Sequence, residues 1–283
     1  MRHFLANTRR ARWGLLCVLV AFGLNLVLIT AGGVVGRLPW LVLYPLLWLA
    51  RLLAQVDREA ALALELLTGY WGRFVLLIGV LAWGICGLRP RDVGLQRGKW
   101  REALVATVAM WVFIQLVLVG IGWASGGPLA WHPLWRQSTP LALGLSVVRY
   151  FLGVGLFEEV FYRGLMLPQF YHALRERQIN HALPVAVLLS QTLFALSHIP
   201  HYALPLPLPL GLLVLWLESV LLAWLWLRTG NLLILVGWHG LADFPLPLLA
   251  APENVLEGAA FVLIIVMLVG WPVVRRRLPG MGG

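Results

Sequence analysis

The chain has 283 residues, of which 60% are hydrophobic and only 12% charged, against about 45–50% and about 25% in soluble domains. That balance excludes a soluble globular protein and calls for a bilayer, whose hydrocarbon core a run of about 20 apolar residues crosses. The net charge of +10 does not point to nucleic acid. The basic residues stand in short clusters beside apolar runs (Arg2, Arg9, Arg10 and Arg12; Arg89, Arg91, Arg97, Lys99 and Arg101; Arg175 and Arg177; Arg275, Arg276 and Arg277), which is how positive-inside topology signals are arranged.

Eight membrane spans are expected, at about 14–32, 72–88, 103–123, 147–170, 185–204, 210–228, 231–249 and 255–273, each an apolar run of sufficient length. The first follows a basic flank and is longer than the apolar core of a cleaved signal peptide, so it reads as a retained span. Cys17 and Cys86 lie inside apolar runs without metal-ligand spacing. They read as packing residues, with no disulfide expected between them. The stretch 38–68 begins apolar but holds Pro45 and Arg51, then turns amphipathic with Asp57, Arg58, Glu59 and Glu65. With the N-terminus in the cytoplasm, a second crossing there would carry the basic loop 89–101 outside. The stretch therefore reads as a peripheral or re-entrant element, with seven to nine spans as the range. Both termini then fall in the cytoplasm. Trp13, Trp40, Trp71, Trp100, Trp123 and Trp271 lie near span ends, as an aromatic belt requires. The fold class is all-α, a polytopic transmembrane helix bundle forming one domain over 1–283.

Polar side chains inside the later spans carry the functional reading, because an ionisable group at mid-bilayer costs about 2.5–3.5 kcal/mol on insertion scales. The first cluster is Phe157-Glu158-Glu159-Val160-Phe161-Tyr162-Arg163. Glu159 and Arg163 are spaced i,i+4 with the acid on the N-terminal side, the favourable order for a helical ion pair. Glu158 points about 100° away and is left as a carboxyl group in apolar surroundings, fitted to general-base work. The second cluster is Gln191, Phe194 and His198, which share one helix face. The third is His239-Gly240-Leu241-Ala242-Asp243, where histidine and carboxylate face the same way and Gly240 allows close backbone approach. Each cluster also admits a structural reading as interhelix hydrogen bonding.

Glu-Glu-x-x-x-Arg, Phe-x-x-x-His and His-x-x-x-Asp, in that order on successive membrane helices, resemble the motifs of the CPBP (Abi) family, which includes the type II CAAX prenyl endopeptidases. The resemblance covers about 147–245 as a catalytic core. It implies that Glu158 activates a water, that His198 positions it, and that His239 and residue 243 stabilise the oxyanion. Glu159 and Arg163 would support the first motif, and Phe194 and Gln191 the second. The prenyl endopeptidases carry Asn at the last position where this chain has Asp243, and an ionised Asp cannot donate to an oxyanion. Either Asp243 is protonated, or it orients His239, or the site binds a cation. No cofactor is required on a glutamate-type mechanism. Zn²⁺ held by Glu158, His198, His239 and Asp243 is the alternative, although the chain lacks His-Glu-x-x-His.

The function read from these residues is an intramembrane endopeptidase acting on a membrane-associated peptide or protein, with the lipid bilayer as the other partner and no nucleic acid. The alternatives are a non-proteolytic binding or immunity scaffold and a proton-coupled transporter, to which Glu218 and Arg149 would also contribute. Short loops and no separate targeting segment point to a prokaryotic inner membrane. Prenylated CAAX proteins are not expected there, so the resemblance does not bring its substrate with it.

Overall fold

The computed structural model describes residues 8, 10–11, 14–35, 57–124, 130–201, 206–250 and 270. Seven helices make up most of this: α1 Leu15–Val35, α2 Glu59–Ile85, α3 Trp100–Ala124, α4 Pro140–Glu176, α5 Ala182–Ser197, α6 Leu208–Thr229 and α7 Leu232–Asp243. The protein is an all-α membrane helix bundle. α2, α3, α4 and α6 are long and apolar enough to cross a bilayer, while α5, α7 and the Leu15–Ile29 part of α1 are shorter apolar helices. The expected span 255–273, apart from residue 270, and the apolar half of 38–68 lie outside the described residues.

The helices are patterned inside out, as lipid requires. α3 exposes Leu104, Val105, Val108, Val112, Leu116 and Val119, while Ala103, Ala106, Met110, Ile114 and Gln115 are buried. One face of large aliphatics therefore points outward, while the packed side mixes the small Ala103 and Ala106 and the polar Gln115 with Met110, Ile114 and Leu118.

The chain packs as two compact units, 1–95 with 157–232 and 96–156 with 233–283, and the boundary falls inside α4. In the first unit the 3₁₀ turn Pro90–Val93 is fixed by Asp92, whose carboxylate accepts from the Arg89 N–H at 2.8 Å. Gly94 follows in the left-handed region at φ 86°, which glycine adopts without strain. This turn sits against α4 at Gly164, where a Cβ would run into the Val93 carbonyl oxygen. In the second unit the residues after α7 are pinned by side chains. Trp111 Nε1–H and Gln115 Nε2–H donate to the Leu246 carbonyl, Trp135 Nε1–H donates to Pro247, and the Leu248 N–H donates to Gln115 Oε1 at 2.8 Å.

Four sequence expectations need correction. The amphipathic stretch from Arg58 is not a peripheral element separate from the next span, because the helix from there runs on unbroken to Ile85. Asp57 starts it as an N-cap, accepting from the Glu59 and Ala60 N–H groups. The motif-one helix extends from Pro140 to Glu176 rather than from 147 to 170, since Thr139 caps its start and Pro140 suits the first turn. The spans at 185–204 and 231–249 end early, at Ser197 and Asp243. Pro245 follows the second of these ends closely, and the residue before a proline is disfavoured in helical conformation; after the first, Ile199–His201 continues as a short 3₁₀ turn through Pro200. Finally, Cys17 and Cys86 are joined in a disulfide with Cα atoms 6.4 Å apart, a normal bridging distance. The sequence shows each cysteine alone in its apolar run. Cys17 opens α1 and Cys86 closes α2, so antiparallel neighbours bring them to one end.

Two measurements check this packing. Gly164→Ala is expected to lose about 1–3 kcal/mol, read as a lower unfolding temperature in detergent, with Gly144→Ala, which meets open space, unchanged. Alkylation of the unfolded, unreduced protein should label neither cysteine by mass spectrometry, and both after reduction.

Candidate active site

The first cluster is built on α4, which is wound loosely with i→i+5 hydrogen bonds over Val148–Gly155 and Glu159–Met166. α2 is wound in the same way over Leu66–Trp71 and Phe74–Ile85; Glu158 lies in the short regular turn between the two stretches of α4. Glu159 and Arg163 are fully buried, and Arg163 Nη1–H donates to Glu159 Oε1 at 2.9 Å. The same guanidinium stands 4.4 Å over the Phe194 ring of α5 and reaches the Ser219 carbonyl of α6 at 3.5 Å. A guanidinium buried in this way needs a counter-charge and acceptors for its protons. Glu159, the aromatic face and a backbone oxygen supply them for Nη1 and Nη2, while Nε is buried without an acceptor among the described residues.

Glu158 is placed differently. Its Oε2 lies 4.0 Å from Nε2 of His198, and the two side chains keep 14% and 20% of their surface exposed, while those of Glu159 and Arg163 keep none. Four ångströms is too long for a hydrogen bond, and Oε2 itself is closed off from the surface. His198 is the C-cap of α5. Its backbone N–H turns to the Ala195 and Leu196 carbonyls, which releases the Phe194 carbonyl from the helical ladder, and the imidazole Nδ1–H donates to that oxygen at 2.9 Å. A carbonyl only accepts, so Nδ1 carries a proton, and in the neutral ring Nε2 then offers its lone pair toward Glu158. The Phe194 ring packs on the imidazole at 4.6 Å. Gln191 is buried on the same helix, and its Nε2–H donates to Ser190 Oγ at 2.8 Å; α5 thus directs this amide to its own neighbour.

His239 and Asp243 belong to the second unit. Across one turn of α7, Asp243 Oδ2 stands 3.6 Å from His239 Nε2, with the imidazole nearly buried and the carboxylate a third exposed. Gly240 lies against the Phe151 ring of α4, where a Cβ would overlap the ring, and Gly155 approaches the Val236 carbonyl and the Gly240 nitrogen. The close approach read into Gly240 thus has a named neighbour. Tyr150 stacks on Phe244 just beyond, at 5.4 Å.

Two ligand atoms on a tetrahedral Zn²⁺ lie about 3.3 Å apart, given metal–ligand bonds of about 2.0–2.1 Å. Glu158 Oε2 and His198 Nε2, at 4.0 Å, do not form an edge of such a site as they stand. Within either unit, no three His, Cys, Asp or Glu side chains gather to hold a metal ion among the described residues.

Sequence reasoning missed part of this neighbourhood. Arg73 of α2 lies over the rings of Tyr70 and Phe157, at 4.9 and 5.0 Å, and donates to the Gly69 carbonyl. Tyr162, Ser197 and Asn25 are buried and hydrogen-bonded to one another. The available signal was that Asn25 is a lone amide in an apolar span and Arg73 a cation at the start of another. Tyr162 gave none, standing at a free position of its motif.

No curated protein and no solved structure matches the chain. Residues 140–245 match the family described as type II CAAX prenyl endopeptidase Rce1-like, and that segment contains all three motifs. Through that segment, the chain is similar to this family.

Proposed function

We propose that the protein is an intramembrane endopeptidase in which Glu158 is the general base. The observation that carries this reading is the pairing of Glu158 with the lone-pair nitrogen of His198 at 4.0 Å, while Arg163 is committed to Glu159. A water between the two would give a proton to Glu158 as its oxygen attacks the scissile carbonyl carbon. The carbonyl π bond opens to an oxyanion. When the tetrahedral intermediate collapses, the C–N bond breaks and the proton held by Glu158 passes to the leaving amine, so Glu158 ends ionised as it began. Nε2 of His198, fixed as an acceptor, orients the water through its second O–H. The apolar surroundings lower the local dielectric and strengthen each of these interactions.

The family resemblance gives His239 the oxyanion. Asp243 faces the ring of that histidine, which supports its role as an orienting acceptor rather than a second donor, and explains why a carboxylate is acceptable where the prenyl endopeptidases have an amide. The site is proposed to take a membrane-associated peptide and to work without a metal, in a prokaryotic inner membrane.

Two outcomes follow. Glu158→Gln keeps the shape and removes the base, so cleavage of membrane peptides by reconstituted protein should fall on the order of 10²–10⁴-fold; unchanged cleavage with intact folding rejects the mechanism. Treatment with a strong divalent-metal chelator should leave cleavage intact, and Asp243→Asn should retain most of it. A chelator-sensitive enzyme restored by zinc would instead require a metal.

A further inference from the structure

A chain of hydrogen bonds ends on the carbonyl that fixes His198. Asn25 Nδ2–H of α1 donates to Tyr162 Oη at 3.2 Å, Tyr162 O–H donates to Ser197 Oγ at 2.7 Å, and Ser197 O–H donates to the Phe194 carbonyl at 2.7 Å. The other donor to that oxygen is His198 Nδ1–H. All three side chains are buried, with Asn25 fully so and Tyr162 and Ser197 at 1% and 2% exposure. A serine hydroxyl is a free rotor that can point at several acceptors. Here Tyr162 occupies its oxygen as an acceptor, which leaves the Ser197 proton directed at Phe194.

We infer that Asn25, Tyr162 and Ser197 are positioning residues for His198, holding the Phe194 carbonyl in place so that the imidazole stays hydrogen-bonded to it with Nε2 turned to Glu158. The inference rests on the endopeptidase reading for its catalytic consequence, although not for its structural content. Tyr162 is i,i+4 from Glu158, and Ser197 immediately precedes His198, so the relay follows the two catalytic side chains along both helices. Asn25 lies outside the matched segment 140–245. The first helix thus contributes to the site as well as to the membrane anchor. An amide in hydrocarbon is costly, and the hydrogen bond to Tyr162 gives it a function.

Tyr162→Phe isolates the hydroxyl, because the edge-to-face contact of this ring with Phe194, at 5.1 Å, is kept. Ser197→Ala removes the next link and covers the case in which one variant folds poorly. Two readouts are taken on the full chain in liposomes: the ¹⁵N resonances of His198, identified by their loss in His198→Gln, and the kinetics of peptide cleavage. The wild type should show a single Nδ1–H tautomer. Each variant should weaken the Nδ1–H···O=C bond, read as a shifted and broadened Nδ1 resonance, with a kcat lower by about tenfold, as for loss of a partner that orients a functional histidine, and KM unchanged. The double variant should be no worse than the single ones, since the links act in series. An unchanged Nδ1 resonance, or an unchanged kcat, in both variants overturns the relay. If the wild type cleaves no membrane peptide, the endopeptidase reading fails separately, and the ¹⁵N spectra alone then decide whether the relay exists.

Discussion

A charged pair removed from water has to satisfy itself, and the Glu159–Arg163 pair organises the first unit on that basis. Both side chains are wholly buried. Leaving either unmatched in apolar surroundings would cost about 3–5 kcal/mol. One helical turn brings the carboxylate and guanidinium together, the Phe194 ring covers the cation, and the Ser219 carbonyl takes a further proton. Three helices, α4, α5 and α6, are thereby tied at one point. Because Arg163 is spent on this task, the neighbouring Glu158 keeps a different position, partly exposed and facing His198. Adjacent carboxylates in one helix thus divide into a wholly buried, paired acid and a partly exposed one beside His198.

The same division was legible in the amino-acid sequence, because it follows from helix geometry alone: i,i+4 spacing pairs Glu159 with Arg163, and the 100° step turns Glu158 away. The all-α membrane class was equally legible, since it needs only long apolar runs with few charges. The motif resemblance reached the family later matched over 140–245. What the sequence concealed depended on contacts between distant segments or on how a helix ends. Cys17 and Cys86 are separated by 69 positions and meet only because α1 and α2 run antiparallel. Hydropathy extended α5 and α7 through Pro200 and Pro245, because apolar residues continue past both, whereas backbone geometry stops both helices first. That early stop matters for chemistry, since it makes His198 a C-cap whose ring replaces its own backbone N–H on the Phe194 carbonyl.

Polar groups in this protein are economical. Glu159 and Arg163 hold helices together, and Gln115 and Trp111 hold the backbone beyond α7. His198 is held in one tautomer by a carbonyl that the helix end sets free. In water such groups could exchange partners with solvent at little cost. Within a bilayer they cannot, so each determines where its neighbours stand. Gly164 and Gly240 serve the same end, letting a turn and a ring approach the helices that carry the motifs.

The central claim is that Glu158 delivers a water to the peptide bond and does not attack it. Single-turnover cleavage in H₂¹⁸O, with the reconstituted protein in excess over a cleaved membrane peptide, separates the two. A general-base role places one ¹⁸O in the new carboxylate of the first product and none in the Glu158 side chain. An unlabelled first product, with ¹⁸O appearing in Glu158, would contradict it, because the attacking oxygen would then have come from the carboxylate.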